Sequence, residues 1–230
     1  MTTAERILRA KQDIDEAYDA GKAAGSMDEF WDKFQNYGNR TDYQNAFGGI
    51  GWTPETFKPK HPIKPTNAYM MFARSTIKNF DGIDIDFTNL SGGQYIFYNC
   101  NTIEEVGVVK ATGTLYGAFQ NAIALHTVEE IILPEVQYDA NYFTSSFNQA
   151  TKLQNVKFSG GKNQRNIDIH WSTLLTADSL DSIVESLSDD VTGQTITFPT
   201  TAESTYNAKY GEGAWATLLS TKQNWSIAYA

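Results

Sequence analysis

Hydrophobic and polar positions along the chain change period several times, and each change predicts a different element. From about Thr3 to Gly25, Ile7, Ile14 and Tyr18 fall on one face with Ala10 or Lys11 and Gly21 at alternating three- and four-residue spacing. That is the narrow apolar stripe of an amphipathic helix. Two isoleucines and a few small residues cannot hold such a helix alone in water. Ile7, Ile14 and Tyr18 are therefore expected to be docking or oligomerisation residues, buried against another subunit or another protein. Ser26 with Glu29 three residues on fits a capping box, and Phe30, Trp31, Phe34 and Tyr37 follow at helical spacing up to Gly38. A Gly-rich aromatic passage through Tyr43, Phe47 and Trp52 leads into Pro54, Pro59, Pro62 and Pro65, an extended connection that is neither helix nor central strand. The aromatic collar reads as a small core of its own rather than a sugar platform.

Residues 66–170 carry a repeat. Three segments share the order Phe, any residue, amide, small residue, two more, aliphatic, two more, Val: Phe97 to Val106, Phe119 to Val128 and Phe147 to Val156. Phe72 to Ile77 is a degenerate first copy with one residue missing, so the phenylalanines advance by 25, 22 and 28 residues. Such a period is that of stacked repeat units. The expected core consists of Phe97, Ile103 and Val106, then Phe119, Leu125 and Val128, then Phe147, Leu153 and Val156. Asn99, Asn121 and Gln149 are placed to bond backbone groups that a tight turn leaves unpaired. A short strand follows each Val, at Gly107–Val109, Ile131–Leu133 and Lys157–Phe158, so stacked copies predict a parallel sheet.

From residue 171 the pattern becomes that of a cap, which a repeat stack needs because an open end exposes core and strand edges. The expected elements are a helix over Asp178–Leu187, a strand over Thr195–Phe198, one helix over about Ala202–Lys222 and a final strand at Trp225–Ile227. The fold class is thus α/β, a short repeat solenoid with an N-terminal helix and a helical/strand C-terminal cap. Its boundaries are 1–25 for the docking helix, 26–65 for the aromatic Gly/Pro-rich module, 66–170 for the repeats and 171–230 for the cap.

Composition adds limits. With 18 Lys+Arg against 27 Asp+Glu the net charge is -9, which disfavours nucleic acid. One cysteine rules out an internal disulfide and a cysteine-built zinc site. No membrane-spanning stretch and no signal peptide is visible, so synthesis in the cytoplasm without a signal peptide is expected. His61, His126 and His170 are too scattered to suggest a metal centre, and Asp81, Asp84 and Asp86 alternate with Ile83 and Ile85 as the solvent side of a strand would. Glu104-Glu105 and Glu129-Glu130 read as a repeated acidic row. No acid, base and nucleophile converge on one motif, so no enzyme, cofactor or metal is expected. Tyr98, Tyr116, Tyr138 and Tyr142 form a candidate ligand face, since tyrosines beside the repeats can stack on sugar rings.

The Phe-x-Asn-Cys-x-x-Ile-x-x-Val unit at Phe97 resembles the leucine-rich repeat of bacterial surface-antigen type, with Ala122 and Ala150 where that family has Cys. Glu29-Phe30-Trp31-Asp32-Lys33-Phe34-Gln35, Gly38-Asn39-Arg40-Thr41-Asp42-Tyr43, Trp52-Thr53-Pro54-Glu55-Thr56-Phe57-Lys58-Pro59-Lys60 and Pro65-Thr66-Asn67-Ala68-Tyr69-Met70-Met71-Phe72 resemble the shared N-terminal module of repeat proteins of tailed phages and prophages of gut Firmicutes. Leu174-Leu175-Thr176-Ala177-Asp178-Ser179-Leu180 and Asn224-Trp225-Ser226-Ile227 are similar to that family's C-terminal cap. The resemblance implies a virion structural or appendage protein (neck, tail, baseplate or capsid decoration) without catalytic residues. Its implied partners are other virion proteins and further copies of itself, with a host-surface glycan or protein as the alternative adhesive role.

Overall fold

A computed structural model describes residues 3–28, 30–31, 41–53 and 55–230, with side chains from Arg9 onward except Ala10. Of the expected features, Glu29, Phe34, Tyr37, Gly38, Pro54 and the side chain of Ile7 lie outside the described residues. The architecture is mixed α/β with two open, wholly parallel sheets. One has four strands in chain order, β1 (Phe87–Leu90), β2 (Glu105–Ala111), β3 (Thr127–Leu133) and β4 (Asn155–Gly160). The other has three, β5 (Ile167–Asp168), β6 (Gln194–Phe198) and β7 (Trp225–Tyr229). Helices with described bounds are α1 (Thr3–Ala24), α2 (Ala177–Ser186), α3 (Ala202–Tyr210) and α4 (Ala214–Ser220), and Asp28, Phe30 and Trp31 are also helical. The single helix expected over Ala202–Lys222 is corrected to two: Gly211 and Gly213 take φ of 102° and 76° and break it. No helix among the described residues is long and apolar enough to cross a membrane.

The motif phenylalanines stack ring on ring. Phe72, Phe97, Phe119 and Phe147 follow one another at centroid spacings of 5.8, 5.8 and 5.6 Å with rings within 19° of parallel. Phe47 extends the column at 5.3 Å from Phe72. It begins a further copy that its glycine-rich sequence hides. Ile103, Leu125 and Leu153 are completely buried beside this column, as are Cys100, Ala122 and Ala150 at the small position, while Val106, Val128 and Val156 are 2%, 0% and 5% exposed.

The backbone around each phenylalanine explains the motif. The residues two before and two after it are left-handed in all five copies: Asn45 and Gly49, Met70 and Arg74, Tyr95 and Asn99, Gly117 and Asn121, Ser145 and Gln149. Asparagine and glycine tolerate that region best, which is why an amide recurs there. Each ribbon turns so that alternate N–H groups point to the next copy. Asn99 N–H, for example, donates to the Gln120 carbonyl at 2.9 Å and Phe97 N–H to the Ala118 carbonyl at 2.9 Å. The intervening N–H groups close turns within the copy, as Cys100 does to Phe97 at 3.0 Å.

Beyond β4 the parallel strand order stops and α2 packs on the edge. Val156 N–H donates to the Ser179 hydroxyl at 3.0 Å and Phe158 N–H to the Ser182 hydroxyl at 2.8 Å. Helix side chains thereby occupy strand-edge donors that would otherwise invite another chain. Leu180, Ile183, Val184 and Leu187 bury the other side of α2. Ile169 and Phe198 are both buried, and Thr176 N–H still donates to Gln154, at 2.9 Å, where an equivalent bond runs between earlier copies.

Candidate functional site

The N-terminal stripe has a partner inside the chain. Ile14 and Tyr18 are each only 6% exposed. Tyr18 meets Trp52 edge-on at 4.7 Å and Phe30 at 6.3 Å, and its hydroxyl donates to the Gly51 carbonyl at 2.6 Å. Phe30, Trp31, Phe47, Trp52 and Phe57, all 2% exposed or less, form the aromatic core beneath. The docking role of Ile14 and Tyr18 is therefore corrected: the aromatic module of the same chain covers them. Among its described side chains, α1 turns outward Arg9, Gln12, Asp13, Glu16 and Asp19 together with Ala20, Ala23 and Ala24.

The four tyrosines of the expected ligand face part company. Tyr98 and Tyr116 do come together, on either side of Tyr95 at 5.4 and 5.2 Å, and Tyr69 adds a ring 6.2 Å from Tyr95. Arg74 lies 6.0 Å from the Tyr98 ring centre. The left-handed turn residue Tyr95 is the hub, and its phenol is pushed up to about 12, first by its hydrogen bond to Tyr116 and then by burial and the neighbouring phenols. Beside this cluster Asn121 Nδ2 donates to Asn99 Oδ1 at 2.6 Å, so the motif amides also bond each other across copies. Tyr138 is apart and 84% exposed in the loop after β3. Tyr142 is corrected: it is fully buried, its hydroxyl donates to the Ala111 carbonyl at 2.6 Å, and burial raises its phenol. A buried tyrosine with a satisfied hydroxyl is a core residue. Tyr69 and Tyr95, which the repeat alignment passed over, were signalled by their place two or three residues before a motif phenylalanine.

The acidic row is a third correction. Glu105 pairs in register with Thr127, and Glu130 with Val108, so the two glutamate pairs are offset rather than aligned. Glu130 is held ionised below the usual carboxylate range, chiefly by the Lys157 ammonium at 2.7 Å. Glu105 and Glu129 line an open groove of about 550 Å³ with Asp81, Asp86 and Gly107. Cys100 has its thiol pushed up to about 11 by burial, between the Ser75 carbonyl at 3.2 Å and the Phe97 column, so it is a poor nucleophile. His170 Nδ1 lies 2.6 Å from Asp168 Oδ1, and no group of three or more metal-ligating side chains occurs among the described residues. In comparisons with protein-family models, curated proteins and solved structures, nothing matches the chain.

Proposed function

We propose that the chain is a leucine-rich-repeat solenoid serving as a structural or appendage component of a tailed-phage particle, held to other virion proteins or further copies through its N-terminal region. The observation that carries this reading is the continuous aromatic column from Phe47 to Phe147, joined at Phe47 to the module that seats α1. Such a stack passes each copy's packing to its neighbours and makes a stiff projecting body. The resemblance of the N-terminal module adds the virion context. With Ile14 and Tyr18 internal, the anchoring contact falls to the polar outer face of α1. Replacing Asp13, Glu16 and Asp19 together by Lys is expected to leave the fold intact and abolish particle incorporation, whereas Ile14→Asp destabilises the chain itself. Normal incorporation of the triple variant refutes the anchor.

A second reading, adhesion to a host-surface glycan, is favoured by the cluster of Tyr69, Tyr95, Tyr98 and Tyr116 on one turn face. Host-cell binding by purified protein, lost when Tyr98 and Tyr116 become Ala, is the outcome that reading expects. Undiminished binding by that variant removes the tyrosine face from it.

A further inference from the structure

The bonding between turn ribbons has one break. From the Phe47 copy to the Phe147 copy, every step carries four backbone bonds, donated by the residues four and two before, at, and two after the phenylalanine. The last such step runs from Leu115, Gly117, Phe119 and Asn121 to Tyr142, Thr144, Ser146 and Asn148 at 2.8–3.0 Å. The corresponding donors of the next step are Phe143, Ser145, Phe147 and Gln149, and none of these N–H groups has an acceptor among the described residues. The cause is local. The facing ribbon would need left-handed residues at Ile167 and Trp171, and neither has a positive φ. A β-branched isoleucine resists that region. Residues 167–168 run instead as β5, paired with β6.

The two ribbons part around a cleft of about 430 Å³, within the range of small-ligand sites. Phe143, Ser145 and Asn148 form one wall, and Asn166, Asp168, His170 and Trp171 belong to the other. Trp171 is 40% exposed, a large aromatic surface left in water at this point. The Asn148 side-chain oxygen is buried without a hydrogen-bond partner among the described residues, an unusual state for a polar group. Asp168 Oδ1 accepts from the His170 backbone N–H at 3.1 Å and lies against its ring nitrogen, which fixes the carboxylate and presents its second oxygen. Asn166 spends its oxygen on Thr195 N–H at 2.8 Å and keeps its amide N–H₂ as a donor.

We propose that this cleft binds a neutral saccharide, with a pyranose ring stacked on Trp171 and its hydroxyls bonded by Asn148, Asn166 and Asp168. An aromatic face beside a carboxylate and two amides matches a ring that is apolar on its C–H side and both donor and acceptor at its edge. The Asp168 carboxylate and the net charge of -9 oppose an anionic ligand. This deepens the adhesive reading and rests on it, adding to the tyrosine face a second seat in the cleft.

The test is a titration of the ¹⁵N-labelled full chain with the methyl glycosides of glucose, galactose, N-acetylglucosamine and rhamnose, with inorganic phosphate as a parallel arm. At least one glycoside is expected to shift the amides of Phe143, Ser145, Phe147 and Gln149 together with the Trp171 indole. Trp171→Ala should weaken binding by about tenfold or more, as loss of an aromatic anchor does, and Trp171→Phe should restore part of it. No shift at these amides with any glycoside, or shifts produced only by phosphate, overturns the saccharide site. Host-cell binding that survives Trp171→Ala but not the tyrosine variant overturns the cleft and leaves the adhesive reading standing. Absence of host-cell binding by the parent chain, with glycoside shifts intact, defeats the adhesive reading and keeps the cleft.

Discussion

Removal of one ring from the middle of the phenylalanine column is the sharpest perturbation of the stack. Phe119 is fully buried between Phe97 at 5.8 Å and Phe147 at 5.6 Å. A buried aromatic takes about 150–250 Å² out of water, which at about 25 cal/mol per Å² is worth roughly 4–6 kcal/mol. Measured truncations of buried phenylalanine to alanine cost about 3–5 kcal/mol. Phe119→Ala is therefore expected to lose about 4 kcal/mol, a large part of a stability of about 5–15 kcal/mol. In a stack where each copy contacts mainly its neighbours, the loss also uncouples the two ends. Urea unfolding followed by tryptophan fluorescence reads those ends, since Trp31 and Trp52 lie in the aromatic module and Trp215 and Trp225 in the C-terminal part. Far-UV circular dichroism follows the strands between them. The two probes should coincide for the parent and separate for Phe119→Ala, while Phe119→Leu costs only about 1–2 kcal/mol because most of the volume remains. A loss below about 1.5 kcal/mol for Phe119→Ala, with coincident probes, refutes the column as the element that couples the copies.

Ser182→Ala removes the hydroxyl that accepts from Phe158 N–H at 2.8 Å, so it should cost about 1–3 kcal/mol in chemical denaturation. If stability is unchanged, α2 does not cover that edge through its serines. Cys100 binds its proton more tightly folded, at about 11, than an ordinary thiol does at 9.0. Its contribution is therefore present below about pH 9 and lost as pH rises toward 11, a matter of roughly 2–3 kcal/mol. Cys100→Ala, which copies Ala122 and Ala150, should flatten that alkaline fall in stability, with the part due to buried Tyr142 remaining. An unaltered pH profile in the variant contradicts the burial of the thiol.

Much of the stack was legible because its signal is local and repeated. Phe97, Phe119 and Phe147 share spacing with an amide, a small residue and an aliphatic, and each of those positions answers to one constraint: a stacked ring, a left-handed turn, a tight wall, a filled interior. Phe47 carries the same backbone with Gly48 and Gly49 in place of side chains, so its turn is as good while its pattern is invisible. The two residues of β5 are too few to show a period. Periodicity identified the stripe of Ile14 and Tyr18 as needing cover, but the cover comes from Trp52 and Gly51, more than thirty residues away, at positions that no spacing rule connects to a helix face. Tyr142 misled for a related reason: its ring sits among copies whose lengths vary from 22 to 28 residues, and the extra residues before Phe147 turned it inward. The cleft beside Trp171 arises where the repeat stops being regular. Only the backbone shows that Ile167 and Trp171 have replaced left-handed residues.

The proposed role in a phage particle is tested most directly by quantitative mass spectrometry of purified particles released from the strain that encodes the chain. The account predicts its peptides in a fixed ratio to the other structural proteins, and their disappearance from particles when Asp13, Glu16 and Asp19 are changed to Lys. Purified particles that lack the chain altogether, while it accumulates in the producing cells, contradict it.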